Sequence, residues 1–182
     1  LKGKLIFTGI ALIFSFAGCE KENPSIKNSG TATLNSTLIL EGQTYSYYGF
    51  SFEKGNVSKY NPELSDELPD IVIRPITEAS GVVTGAYLCN DYMKGSFNLT
   101  AEFDNETSAT ESFNNYKTVE VTTYTKLATP IMKYQIWTFR TINNQFAKLL
   151  IVDVKTVSIS TPYAETTFKW VYQPDGSNEF DN

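Results

Sequence analysis

Thr167-Phe168-Lys169-Trp170-Val171-Tyr172-Gln173-Pro174-Asp175-Gly176 carries the clearest structural signal in the chain. Phe168, Trp170 and Tyr172 fall on one side of an extended backbone, with Thr167 and Lys169 on the other. Side chains of a strand alternate between faces, so this segment offers one aromatic face and one wet one. Proline cannot donate to a ladder, and Pro174-Asp175-Gly176 therefore ends the strand in a turn.

The texture is the same on the N-terminal side, in short runs of Thr, Tyr, Val, Ile and Phe. Strands are expected near 31–40, 44–53, 70–76, 82–88, 95–103, 116–125, 133–141, 146–154 and 166–173. Val119 and Val121 alternate with Thr118, Glu120 and Thr122, which predicts a half-buried strand there. Both faces of Tyr134 to Phe139 are apolar, so that strand is expected in the middle of a sheet. Asn143-Asn144 separates two runs and suits the positive φ of a tight hairpin. No window keeps apolar residues at helical spacing over three turns; short helical pieces are expected near 62–67 and 106–114. The expected fold is all-β, a sandwich of two antiparallel sheets with few short helices.

The N-terminal residues have a different character. Lys2 and Lys4 precede an apolar run from Leu5 to Phe16, and Phe16-Ala17-Gly18 lead into Cys19. This reads as a lipoprotein signal peptide over 1–18 ending in a lipobox, with Cys19 as the lipidated residue. The run is shorter than the roughly 20 residues that span a bilayer as a helix. Each buried acyl methylene contributes about 0.8 kcal/mol, so two or three chains on Cys19 would anchor the protein durably. Residues 19–30 are expected to be the lipidated cysteine and a flexible linker, and 31–182 the β-sandwich domain. The acidic stem Glu20-Lys21-Glu22 resembles that of surface-exported lipoproteins of Bacteroidota, which implies an outer-membrane, cell-surface location.

The formal net charge is −5, and loss of Lys2 and Lys4 makes the remainder more acidic. Such a chain has no electrostatic footprint for nucleic acid. It has no histidine, which removes the commonest general base, the usual Ser and Cys triads and most zinc sites. Glu63, Asp66, Glu67 and Asp70 form the densest acidic cluster but lack a calcium-loop pattern, so a solvated turn is expected rather than a metal site. No pair of carboxylates is marked for glycoside hydrolysis. The protein is expected not to be an enzyme. With Cys19 committed to lipid, Cys89 has no disulfide partner and is expected to be a buried small hydrophobe.

Three stretches together resemble the HmuY-like family of haem-binding lipoproteins of Bacteroidota. One is Phe50-Ser51-Phe52 followed by Asp70-Ile71-Val72-Ile73-Arg74; the second is Trp137-Thr138-Phe139-Arg140-Thr141 with Asn143-Asn144-Gln145-Phe146-Ala147-Lys148-Leu149. The third is the closing strand quoted first. The family commonly has a tryptophan where Pro69 stands, an aromatic in place of Ile73 and glycine in place of Asn144. The resemblance implies two antiparallel sheets gripping a ligand at one end, haem or porphyrin as cargo, and delivery to a TonB-dependent outer-membrane receptor. Arg140 and Lys148 flank the hairpin, where they suit either a fold role or a ligand contact.

The histidine pair used by some family members has no counterpart here. Other relatives use methionines, and a thioether is a competent axial ligand for haem iron. Met93 and Met132 are the two methionines and hence the candidate haem-binding residues; core packing is the competing role for Met132, and partial burial under a loop for Met93. Tyr116 and Tyr124 are further candidate iron ligands. A non-haem module of the same fold is the alternative, holding a glycan, a peptide or a receptor, with Tyr45, Tyr47, Tyr48 and Tyr163 able to pave a sugar-binding face. A surface component with no small ligand is the third.

Overall fold

A computed structural model describes residues 28–92 and 94–180. In chain order the elements are β1 Ser29–Asn35, β2 Ile39–Glu41, β3 Thr44–Ser51, β4 Asn56–Tyr60, β5 Val72–Thr77, β6 Val83–Cys89 and β7 Phe97–Glu102. Then come α1 Glu106–Asn115, β8 Leu127–Ala128, β9 Gln135–Arg140, β10 Phe146–Val157 and β11 Tyr163–Gln173. The fold is all-β, as the alternation in β11 predicts. Phe168, Trp170 and Tyr172 are buried, whereas Thr167, Lys169 and Val171 are only half-buried.

Five strands pair antiparallel in the order β1-β11-β10-β9-β7. β9 lies between two partners, and Gln135 to Phe139 are all buried, as expected of a central strand. The second layer consists of β2-β3-β4 and β5-β6-β8. These two pieces join where Phe50 N donates to Ile71 O (2.9 Å) and Ile71 N donates to Phe50 O (3.2 Å).

The core between the layers is aromatic. The Phe50 ring meets Phe168 and Trp170 edge-on, each at 5.3 Å between centroids. Phe52 packs on Phe139 at 5.2 Å and stacks on Tyr172 at 5.9 Å. Such pairs each contribute about 0.5–1.5 kcal/mol beyond simple burial, and together they lock the layers in one register.

The other face of the large sheet is covered by α1. Asn105 caps its start, accepting from Ser108 N at 2.9 Å, and Glu106 suits the positive end of the helix dipole. Ala109 and Phe113 pack on Ile136 and Leu150. Lys148 lies in the same layer and is fully buried, its Nζ donating to Phe113 O (2.8 Å) and Tyr116 O (2.7 Å). Its ammonium thus holds the helix C-terminus, where the dipole favours a cation. Burial, assisted by Lys117, lowers its pKa to about 8.

Several expectations need correction. Residues 116–125 are not a strand: Thr118 bridges Glu179 and Thr125 bridges Phe97, with no continuous ladder between. Only Val119 is buried there, its N donating to Asn178 O, so the alternation reflects one anchor and not a paired strand. Residues 62–67 form turns rather than a helix, while the helix expected at 106–114 is present as α1. The strand expected over 31–40 divides at Ser36, which exchanges hydrogen bonds with Ala164 before the chain crosses to the second layer. β1 also takes in Ser29 and Gly30, the end of the stretch read as linker.

Candidate ligand-binding cleft

Separate stretches of the chain converge at the end of the sandwich where β9 stops and the hairpin to β10 begins. Thr141 N donates to Gln145 O (2.9 Å) and Asn144 N donates to Thr141 O (3.1 Å). Asn144 sits at φ 61°, the positive value that the Asn-Asn pair predicts. Gln145 ties the hairpin to the end of β11: its Nε2 donates to Pro174 O at 2.7 Å, and its Oε1 accepts from the Tyr172 hydroxyl at 2.8 Å. Burial pushes the Tyr172 phenol up to about 12, so it remains a donor.

Asn90, Tyr92, Lys94, Gly95 and Ser96 form the facing wall. Buried Asn90 closes it from inside, with Nδ2 donating to Ser96 Oγ (2.8 Å) and Oδ1 accepting from Lys94 N (3.3 Å). Gly95 is required by close approach, since a Cβ there would lie 2.7 Å from Tyr124 O. Arg140 N donates to Ser96 O (2.8 Å) and Arg140 Nη2 to Gly95 O (3.3 Å), while its guanidinium carbon lies 4.3 Å from the centre of the Tyr124 ring. The Tyr92 hydroxyl donates to Leu68 O at 3.1 Å, which fixes its ring as a side wall.

Asp70 completes the site from the second layer. Its Oδ2 accepts from Phe52 N at 2.8 Å. Burial pushes its carboxyl up to about 6, and nearby Glu53 adds to this against the lowering effect of the Phe52 N–H. The resulting cleft has a volume of about 290 Å³ and is lined by Asp70, Tyr92, Lys94, Phe139, Arg140 and Asn144 among others. That is the small end of the range for ligand sites.

A second polar cluster lies close by. The Tyr60 hydroxyl donates to Asp91 Oδ2 (2.6 Å), Arg74 stands 3.9 Å from Asp91 Oδ1, and the Arg74 guanidinium covers the Tyr47 ring at 4.2 Å. Cys89 packs in this region, buried as its sequence context predicts, and burial raises its thiol pKa.

The residues expected from sequence to bind ligand are scattered. Cys19 and Met93 lie outside the described residues. Met132 is 45% exposed, not packed in the core, and precedes β9. Tyr92 and Lys94, on either side of Met93 in sequence, line the cleft at the opposite end of that strand. At about 3.3 Å per residue, β9 alone separates the two ends by roughly 17 Å. Tyr116 is committed to Thr138, with 2.7 Å between hydroxyl oxygens, on the helix side of the large sheet; Tyr124 stands beside Arg140. Tyr45, Tyr47, Tyr48 and Tyr163 do not pave one face: Tyr45 is exposed, Tyr47 lies under Arg74, Tyr48 packs on the core and Tyr163 starts β11.

Tyr92, Lys94 and Asn144 stand in turns whose sequence does not mark them as a site, and Asp70 belongs in sequence to an acidic cluster. Glu63, Asp66 and Glu67 are indeed exposed on a turn, whereas Asp70 turns inward. The available signal was Asp91-Tyr92-Met93-Lys94-Gly95, an aromatic and a cation in a tight turn between strands. Comparison with protein-family profiles, with characterised proteins and with solved structures finds no match for this chain.

Proposed function

We propose that the protein is a lipid-anchored surface lipoprotein that captures a small non-haem ligand in the cleft between the hairpin after β9 and the Asn90–Ser96 segment. One observation carries the reading: stretches far apart in sequence deliver Asp70, Lys94, Arg140 and Asn144 to one recess of about 290 Å³. A recess of that size suits a ligand of one ring with polar substituents and is small for a tetrapyrrole. Tyr92 offers an apolar wall, and the charged and amide groups offer directional contacts, the usual division of labour in ligand sites. The chain captures without transforming, and passes its cargo to an outer-membrane receptor of the TonB-dependent kind.

Haem is the second reading, favoured by the resemblance to the HmuY-like family and by the position of Tyr92 and Lys94, the sequence neighbours of Met93, at the cleft. The two are separated by titrating the intact lipoprotein in detergent micelles with haemin while following the Soret band, beside a glycan array. Glycan binding that Arg140→Gln removes, with no saturable Soret shift in either redox state, is the expected result. A saturable Soret shift lost in Met93→Ala overturns the non-haem reading, and silence in both assays overturns the cleft as a capture site.

A further inference from the structure

We infer that the cleft recognises a sugar acid, a single pyranose ring bearing a carboxylate; this rests on the capture reading given above. The protein has two arginines with different settings. Arg74 has Asp91 as its carboxylate neighbour at 3.9 Å. Arg140 has no carboxylate within ion-pair distance among the described residues, although it is half-buried. Its Nη2 donates to Gly95 O and its plane is steadied against Tyr124, so it is held in place with donors to spare.

Lys94 lines the same cleft and likewise has no acidic partner among the described residues. Two cations therefore border one recess in a chain whose net charge is −5. A planar guanidinium with a free edge matches a carboxylate, and an exposed ammonium beside it adds a second charge-assisted donor.

Asp70 narrows the class further. It lines the recess as well, with Glu53 close to it, and a dianionic phosphate would meet repulsion from both. A monoanion carrying hydroxyls satisfies both sides, placing its carboxylate on Arg140 and Lys94 and donating a hydroxyl to Asp70. Asn144 at the hairpin tip supplies an amide to neighbouring hydroxyls, and the Tyr92 ring supplies the flat wall against which a pyranose packs.

The test is isothermal titration calorimetry of the intact lipoprotein in micelles with D-glucuronate and with its neutral counterpart D-glucose. Glucuronate is expected to bind saturably and at least tenfold more tightly than glucose. Arg140→Gln is expected to weaken glucuronate at least tenfold, and Arg140→Lys to retain part of the affinity. Lys94→Gln, at an exposed position whose side chain makes no ion pair among the described residues, supplies the same test should Arg140→Gln disturb folding. Equal binding of the two sugars, glucuronate affinity unchanged in Lys94→Gln and Arg140→Gln, or no glucuronate binding overturns the inference. A neutral glycan that binds and is lost with Arg140→Gln overturns the sugar-acid assignment while leaving the capture site standing.

Discussion

Replacing Lys148 by Met keeps the length and apolar stem of the side chain but deletes the group that holds two carbonyls at the end of α1. Orphaning a buried acceptor costs about 1–3 kcal/mol, so the Phe113 and Tyr116 oxygens together cost about 2–6 kcal/mol, centred on about 4 kcal/mol. Against this, the buried ammonium is itself unfavourable. Its pKa falls from 10.5 to about 8, which corresponds to about 3 kcal/mol recovered at neutral pH when the charge is removed. Taking the central value, the net effect is a loss of about 1 kcal/mol at pH 7.5. The sign of the pH dependence follows from linkage. The unfolded lysine binds its proton more tightly than the folded one, so wild-type stability rises as pH climbs from about 8 towards 10.5. Lys148→Met lacks that rise, and its deficit should widen to about 4 kcal/mol at pH 10. Urea unfolding followed by the fluorescence of Trp137 and Trp170 at the two pH values measures both numbers. A deficit that shrinks with rising pH, or a variant more stable than wild type at pH 10, contradicts the role assigned to this lysine.

Asp70→Asn keeps an oxygen for Phe52 N and removes a charge whose folded pKa, about 6, lies above its ordinary 3.8. Ionisation of Asp70 therefore opposes folding, with no cost below about pH 4 and the full cost above about pH 6. The variant should gain about 1 kcal/mol at pH 7.5, allowing for partial solvent exposure, and nothing at pH 4; thermal melts at the two pH values decide. Gly95→Ala drives a methyl into Tyr124 O and should cost about 1–3 kcal/mol of stability while displacing the wall of the cleft. Chemical denaturation and glucuronate calorimetry on the same sample would show both effects, and unchanged values in both would contradict the close approach described. Tyr60→Phe removes the donor to Asp91 and should cost about 1–2 kcal/mol, read by urea unfolding.

The architecture was legible where one strand faces one core. Phe168, Trp170 and Tyr172 alternate because the inner side of β11 meets Phe50 and Phe52, and that pattern survives in sequence. The central place of β9 was equally plain, because both of its faces are covered, one by the second layer and one by α1. Val119 and Val121 misled for a physical reason: alternation records which residues meet apolar surface, not whether the backbone has a ladder partner. β4 is hard to see in sequence because Asn56–Tyr60 fully buries only Tyr60 and half-buries Val57, while its polar residues face solvent.

The cleft was less legible than the fold. Its residues come from a loop, a hairpin and the start of a strand in the other layer, and nothing in their local spacing says that they meet. Lys148 and Arg140 looked alike in sequence, as cations flanking one hairpin. They lie on the same face of the large sheet, since Lys148 pairs with Thr138 and Phe146 with Arg140, and they separate by position along it: Lys148 donates to two carbonyls beneath α1, whereas Arg140, at the end of β9, lines the cleft.

The most direct measurement is a two-dimensional ¹H–¹⁵N NMR titration of the intact protein in micelles with D-glucuronate. Capture at the end of the sandwich predicts saturating shifts at Gly95, Ser96, Arg140, Thr141 and Asn144, with Thr110 and Asn114 on α1 unmoved. Shifts confined to the helix face, or a spectrum that does not change, would contradict it.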